Sequence, residues 1–187
     1  MTSAYCGLIL SLSLAFQVPG FTNSDWVRAE ANIVRRKPSE FSSLPPRIIR
    51  YLAHRGYRVP QLYSTVHPHN VLKGQFTRRG RTDFAVLASR DGISQILVFW
   101  GGSTKRVSRL GRAKDADFLQ TTGADSIGYS RAISVVDAQY ILKHYEQYGG
   151  PKPPRIDHQA IDDAFAEKAS SVFYFDGKRW LTLQGAD

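Results

Sequence analysis

Two short apolar runs joined by an Asp-Gly turn constrain this chain more than any other feature. Phe84-Ala-Val-Leu-Ala88 and Gln95-Ile-Leu-Val-Phe-Trp100 carry almost no polar side chain, and Ser89-Arg-Asp-Gly92 lies between them. An Asp-Gly pair supplies the positive φ that a tight hairpin turn needs. Gly74-Gln-Phe76 leads in, Thr77 to Thr82 turns, and Gly101-Gly102 ends the second run. Strands apolar on both sides of the pleat are buried on both faces, so this hairpin is expected at the centre of a sheet.

The lead-in carries a resemblance. Gly74-Gln-Phe-Thr-Arg-Arg-Gly-Arg-Thr-Asp83-Phe-Ala-Val86 resembles a single degenerate FG-GAP/VCBS repeat, whose frame reads G-D-F-N-G-D-G-x-x-D-hydrophobic-x-V. In that family the repeat is a piece of a β-propeller blade and its loop oxygens hold calcium. The match spans about twenty-five residues and occurs once, whereas a propeller repeats its blade several times. The resemblance therefore implies a strand–turn–strand shape, in a family of small bacterial secreted proteins that share this core and a similar C-terminal hairpin. Calcium takes about six to eight oxygen ligands. The ligand positions here hold Gln75, Thr77, Arg79 and Asp83, and Arg78, Arg79 and Arg81 bring three positive charges to the loop. With the local charge reversed, no metal and no cofactor is expected.

Met1 to Gly20 reads as a secretory signal, with an h-region at Leu8 to Phe16 and an apolar stretch too short to span a bilayer. A short anchor or a buried helix are the alternatives, since no Lys or Arg precedes the apolar run. The expected location is periplasmic or extracellular. Cys6 is the single cysteine, so an exported mature chain must hold together without disulfides. Residues 21–43 are polar and read as a flexible lead-in, and 44–187 as one globular domain. The 42% hydrophobic and 12% aromatic content supports a packed core rather than disorder.

Along that domain the patterning predicts a helix over Pro46 to His54 ended by Gly56, and a strand within Lys105 to Lys114. A further strand is expected over Ile127 to Val136. Helices are expected near 138–147, capped by Asp137, and near 157–168, with Ile161, Ala164 and Phe165 on the inner face. Ser171 to Leu183 predicts a hairpin turning at Asp176-Gly177 as a type I′ pair. The fold class is α+β: one antiparallel sheet built from hairpins, with two or three helices packed on it.

No catalytic constellation is legible. Asp115 and Asp117 read as a solvated turn, His67 and His69 flank Pro68 and read as local turn structure rather than a metal site, His54, His144 and His158 are scattered singly, and Ser130 lacks the second glycine of a nucleophile elbow. Charge is the feature that points outward. Residues 1–114 hold eighteen Lys and Arg against five Asp and Glu; residues 115–187 hold seven against eleven. Arg78, Arg79, Arg81, Lys105, Arg106 and Arg109 form the expected anion-contacting patch, because the central hairpin returns both clusters to one end of the sheet. The sequence thus favours an exported, non-enzymatic binding module. Its expected partners are an anionic envelope polymer, an anionic membrane surface or another envelope protein. No nucleic acid is expected, as no recognition motif for one is present. A small hydrolase-like envelope enzyme assembled only in three dimensions, or a periplasmic inhibitor or chaperone-like protein, are the alternatives. Calorimetric titration with calcium is expected to give no heat beyond dilution, and a micromolar site lost in Asp83→Ala would overturn that.

Overall fold

A computed structural model describes residues 20–123 and 125–186; all but the last residue of the secretory signal expected at 1–20 lies outside them. Among the described residues the chain is a mixed α+β protein of three α-helices and twelve strands. In order these are α1 (Asn23–Ala31), β1 (Arg35–Arg36), α2 (Pro46–His54), β2 (Val59–Pro60), β3 (Val71–Gly74), β4 (Asp83–Arg90), β5 (Ile93–Phe99) and β6 (Val107–Lys114). There follow β7 (Leu119–Thr121), β8 (Ile127–Tyr129), β9 (Arg131–Val136), α3 (Ala138–Tyr148), β10 (Ala160–Phe165), β11 (Ala169–Phe175) and β12 (Trp180–Gln184).

The expected single sheet is instead four among the described residues: the two-stranded pairs β1-β2 and β7-β8, and two larger sheets. Of the larger two, one is an antiparallel meander in the order β3-β4-β5-β6, the other in the order β12-β11-β10-β9. They pack face to face through Ala85, Leu87, Ile96 and Val98 on one side and Ile133 and Ile161 on the other. Each sheet's outer face takes one helix. Ile48 and Leu52 of α2 cover Phe84, Val86 and Leu97, while Ile141 of α3 covers Val136, Val172 and Leu183. Apolar alternation on both faces of β4 and β5 explains the layering, since such strands need a cover on each side. The central hairpin turns at Asp91 and Gly92, with φ of 55° and 73°, as a two-residue turn of this type requires.

Four details depart from the reading of the sequence. The helix expected over 157–168 is strand β10. It pairs with β9 on one side and β11 on the other, Ile161 facing Val135 and Phe173. The helical spacing of Ile161, Ala164 and Phe165 is real, but two complete ladders and the burial of Ile161 between the sheets outweigh it. Helices α2 and α3 lie on opposite outer faces, one on each four-stranded sheet. The strand expected over Ile127 to Val136 breaks at Ser130, whose N–H donates to Phe118 O and whose carbonyl accepts from Ala166 N; β8 pairs with β7 and β9 with the second sheet. The C-terminal hairpin closes at Phe175 opposite Trp180, leaving a four-residue loop rather than a two-residue type I′ turn. The Asp176 carboxylate accepts from Lys178 N and Arg179 N, each at 2.8 Å, and so supplies the turn that its side chain favours. Residues 21–43 hold α1 and β1, with Ile33 and Phe41 buried.

Charge is buried at two junctions. Arg131, 1% exposed, lies between the sheets and grips Asp163 of the neighbouring strand through Nε (2.9 Å) and Nη2 (2.7 Å). Its Nη1 donates to Ser94 Oγ of the opposite sheet at 2.9 Å, and Nη2 also donates to Gly111 O. Gly111 sits at φ 54°, where a Cβ would stand 2.7 Å from both Arg131 Nη2 and Asp163 Oδ2, so only glycine admits this contact. The second junction is Asp115, read as part of a solvated turn but fully buried. Its Oδ2 accepts from Arg35 Nη2 (2.7 Å) and Ser89 Oγ (2.6 Å), tying the N-terminal segment to the first sheet. Removing one member of such a pair strands the other charge without water. Arg131→Ala is expected to lose about 3–5 kcal/mol in urea unfolding, and Arg131→Met with Asp163→Leu to recover much of that loss.

Candidate functional site

The loop from Gln75 to Asp83 is closed by its own side chains. Asp83, fully buried, accepts from Phe76 N (3.1 Å), Thr77 N (2.9 Å) and the Thr77 hydroxyl through Oδ2, and from Gly101 N (2.7 Å) through Oδ1. The Arg81 guanidinium stands 3.2 Å from Oδ1 and donates to the Thr77 hydroxyl. Gln75 Oε1 accepts from Gly80 N across the tip. A tethered cation thus neutralises the one carboxylate of the loop, and the bend is held by hydrogen bonds to a charged acceptor, which are the strong kind.

The six expected patch residues separate. Arg78 and Arg79 are exposed at the tip of this loop, while Arg81 is 22% exposed and committed to Asp83. Arg81 lies 5.0 Å from the Trp100 ring and Arg106 lies 3.6 Å from the same ring, so one indole joins the two clusters by cation–π contact. Lys105 is exposed beside Arg106 in the turn before β6. Arg109 is not part of this group. It pairs opposite Leu97, on the sheet face that α2 covers, because alternate residues of a strand point to opposite faces. Arg47 of α2, unassigned from sequence, donates to Gly101 O and adds its charge to the same end. Trp100 itself is fixed, with Nε1 donating to Ser108 Oγ at 2.8 Å and its ring edge-on to Phe175 at 4.8 Å.

Beside this belt runs a groove that sequence reasoning missed. A cavity of about 500 Å³ is lined by Gln75, Arg79, Asp137, Arg155, Asp157 and Gln159, and an adjoining one of about 170 Å³ by Arg78, Arg79, Arg155, Asp157 and Asp176. Arg79 and Arg155 line both. The walls are stitched together: Gln75 N donates to Gln159 Oε1 (2.8 Å) and Gln159 N to Gln75 O (3.1 Å). The Tyr174 hydroxyl lies 3.2 Å from Arg155 O and 3.3 Å from Asp157 N, holding the connector that carries Arg155. Lys152-Pro-Pro-Arg155 is a stiff connector, and two prolines that fix the arginine after them are the signal of it in the sequence. The His158 ring stacks on Tyr174 at 4.5 Å with each nitrogen 2.9 Å from a backbone carbonyl, those of Gln159 and Phe175. A neutral ring satisfies one of those acceptors, and a doubly protonated ring satisfies both. In either form the ring is committed to the backbone, and it does not serve Asp157 as the base of a catalytic pair.

A third feature is Asp162, buried on the outer face of the second sheet beside a cavity of about 280 Å³. Burial raises its carboxyl above the usual range, and hydrogen bonding from Ser170 and from the Tyr140 hydroxyl offsets this only in part. Ser170 Oγ also accepts from Ala186 N at 2.8 Å, which ties the end of the chain to β11. No family model matches the chain, and comparison with curated proteins and with solved structures finds no match. The raised carboxyl has a consequence for stability. The folded state keeps the Asp162 proton to higher pH than the unfolded chain, so it contributes stability below the ordinary carboxyl value of 3.8, lost as pH rises through the folded value. Asp162→Asn removes that loss. Urea midpoints are expected to match wild type in acid below that ordinary value and to exceed it at neutral pH.

Proposed function

We propose that this chain is an exported, non-enzymatic binding module whose ligand is an anionic polymer of the cell envelope. The observation that carries the proposal is the Trp100 ring held between the Arg81 and Arg106 guanidinium groups. It unites two clusters separated in sequence, and with Arg47, Arg78 and Lys105 it makes a belt of positive charge along one end of the first sheet. Arg78, Lys105 and Arg106 are exposed, and none is in an ion pair among the described residues. Free cations gathered from separate segments at one end of the sheet suit the repeated charges of a polymer rather than a single small anion. The commitment of both His158 ring nitrogens to backbone carbonyls weighs against a hydrolase built on that histidine.

Heparin-column retention of the purified protein tests the reading. The triple change Arg78→Gln, Lys105→Gln and Arg106→Gln is expected to elute at clearly lower salt than wild type. Arg109→Gln, on the other face, is expected to elute near wild type. The difference is expected to vanish as salt rises, because exposed charges act over roughly 10 Å at about 0.1 M ionic strength. Equal retention of wild type and the triple variant at low salt would remove the belt as a binding surface.

A further inference from the structure

We infer that the groove between Arg79 and Arg155 is a discrete subsite for a single sugar acid, a unit bearing one carboxylate and several hydroxyls. The inference rests on the reading of the ligand as anionic, and it adds a site that the belt does not contain. Arg79 comes from the loop before β4 and Arg155 from the connector before β10, and both reach into both cavities. Neither is in an ion pair among the described residues. Two guanidinium groups at one place suit a planar oxyanion, since each presents a fixed fork of donors that matches a carboxylate.

The remaining lining decides which oxyanion. Arg78, Arg79 and Arg155 face Asp137, Asp157 and Asp176 along the joined cavities, so the groove is formally neutral, unlike the belt. In such a groove a phosphate dianion leaves twice the uncompensated negative charge of a monoanion and is repelled more strongly by the carboxylates that share the space, so the monoanion is favoured. Asp137 and Asp157 then stand as acceptors for donors elsewhere on the ligand, and ring hydroxyls are donors of that kind. Asp137 spends one oxygen on Tyr140 N at the start of α3, which fixes its place and leaves the other oxygen for a ligand. Ile156 adds one apolar wall. Tyr174 and Phe175 are buried and offer no free ring face, which counts against a nucleobase, a ligand that stacks. The volume of about 500 Å³ falls in the range of small-molecule sites. The Gln75–Gln159 stitching and the Tyr174 hydroxyl hold both arginines' backbones before a ligand arrives, which lowers the ordering cost of binding.

The test follows backbone amide signals of the labelled protein during titration with D-glucuronate, with D-glucose and inorganic phosphate as comparison ligands. Glucuronate is expected to shift signals around Arg79, Arg155 and Gln159, and Arg155→Gln to weaken it about tenfold. Glucose, lacking the carboxylate, is expected to leave those signals in place. Arg155 is exposed, so its replacement leaves the core intact, and heparin retention of Arg155→Gln is expected to stay near wild type. The double change Lys105→Gln and Arg106→Gln, which leaves Arg78 of the groove in place, is expected to do the reverse, losing heparin retention and keeping glucuronate. Loss of the heparin result alone would sink the polymer reading and spare the subsite. Absence of glucuronate shifts, binding unchanged in Arg155→Gln, or phosphate binding as tightly as glucuronate would each overturn the sugar-acid assignment.

Discussion

Arg131 is the contact on which the two halves of this protein depend. A guanidinium buried between two sheets has no water to solvate it, so its donors must all find protein acceptors. It finds them on three strands at once: Asp163 beside it, and Ser94 and the Gly111 carbonyl across the interface. Burial works against the charge, and the hydrogen bond and field of Asp163 more than restore it. The pair adds less to stability than the apolar layer around it, but it accepts only one seating of the sheets. A one-residue register slip of β10 or β5 within its sheet would turn Asp163 or Ser94 to the opposite face.

The same side chain type serves two purposes, separated by burial. Arg35, Arg81 and Arg131 each hold a buried carboxylate and fasten a segment: Asp115, Asp83 and Asp163 respectively. Arg78, Arg79, Arg106 and Arg155 have no such partner among the described residues and stand at the surface. Arg81 closes the loop that carries Arg78 and Arg79, and both it and Arg106 contact Trp100, so the proposed binding end is built on an ion pair that is not itself available to a ligand.

The candidate site lies where the two sheets come together at their ends. The Gln75 loop belongs to the first sheet, Arg155 and His158 to the approach of β10 in the second. Reciprocal bonds between Gln75 and Gln159 fix their separation, and Trp100 against Phe175 does the same further along. Each contact joins residues about eighty positions apart in the chain or belonging to different sheets. No short window of sequence contains the groove.

Local chemistry in the chain was sufficient for the central hairpin, whose Asp-Gly turn and doubly apolar arms admit little else, and for α2 and α3, whose caps and spacing agree. It was also sufficient to locate the Arg78, Arg79, Arg81 and Arg106 clusters at one end, since a tight hairpin returns its strands to the same level. Tertiary structure decided the identity of residues 160–165, where helical spacing and strand pairing are both present and the two flanking ladders settle the matter. It decided the fate of Asp115, since a carboxylate in a polar run shows no sign of a distant Arg35. It decided that Arg109 stands on the face that α2 covers and that Arg155 lines one groove with Arg79, because these placements depend on which residue of β5 stands opposite Arg109 and on the packing of a second sheet. Hairpins and helix caps are set by neighbours in sequence, and so they are legible there. Buried charge pairs and grooves are set by partners that only the folded chain brings together.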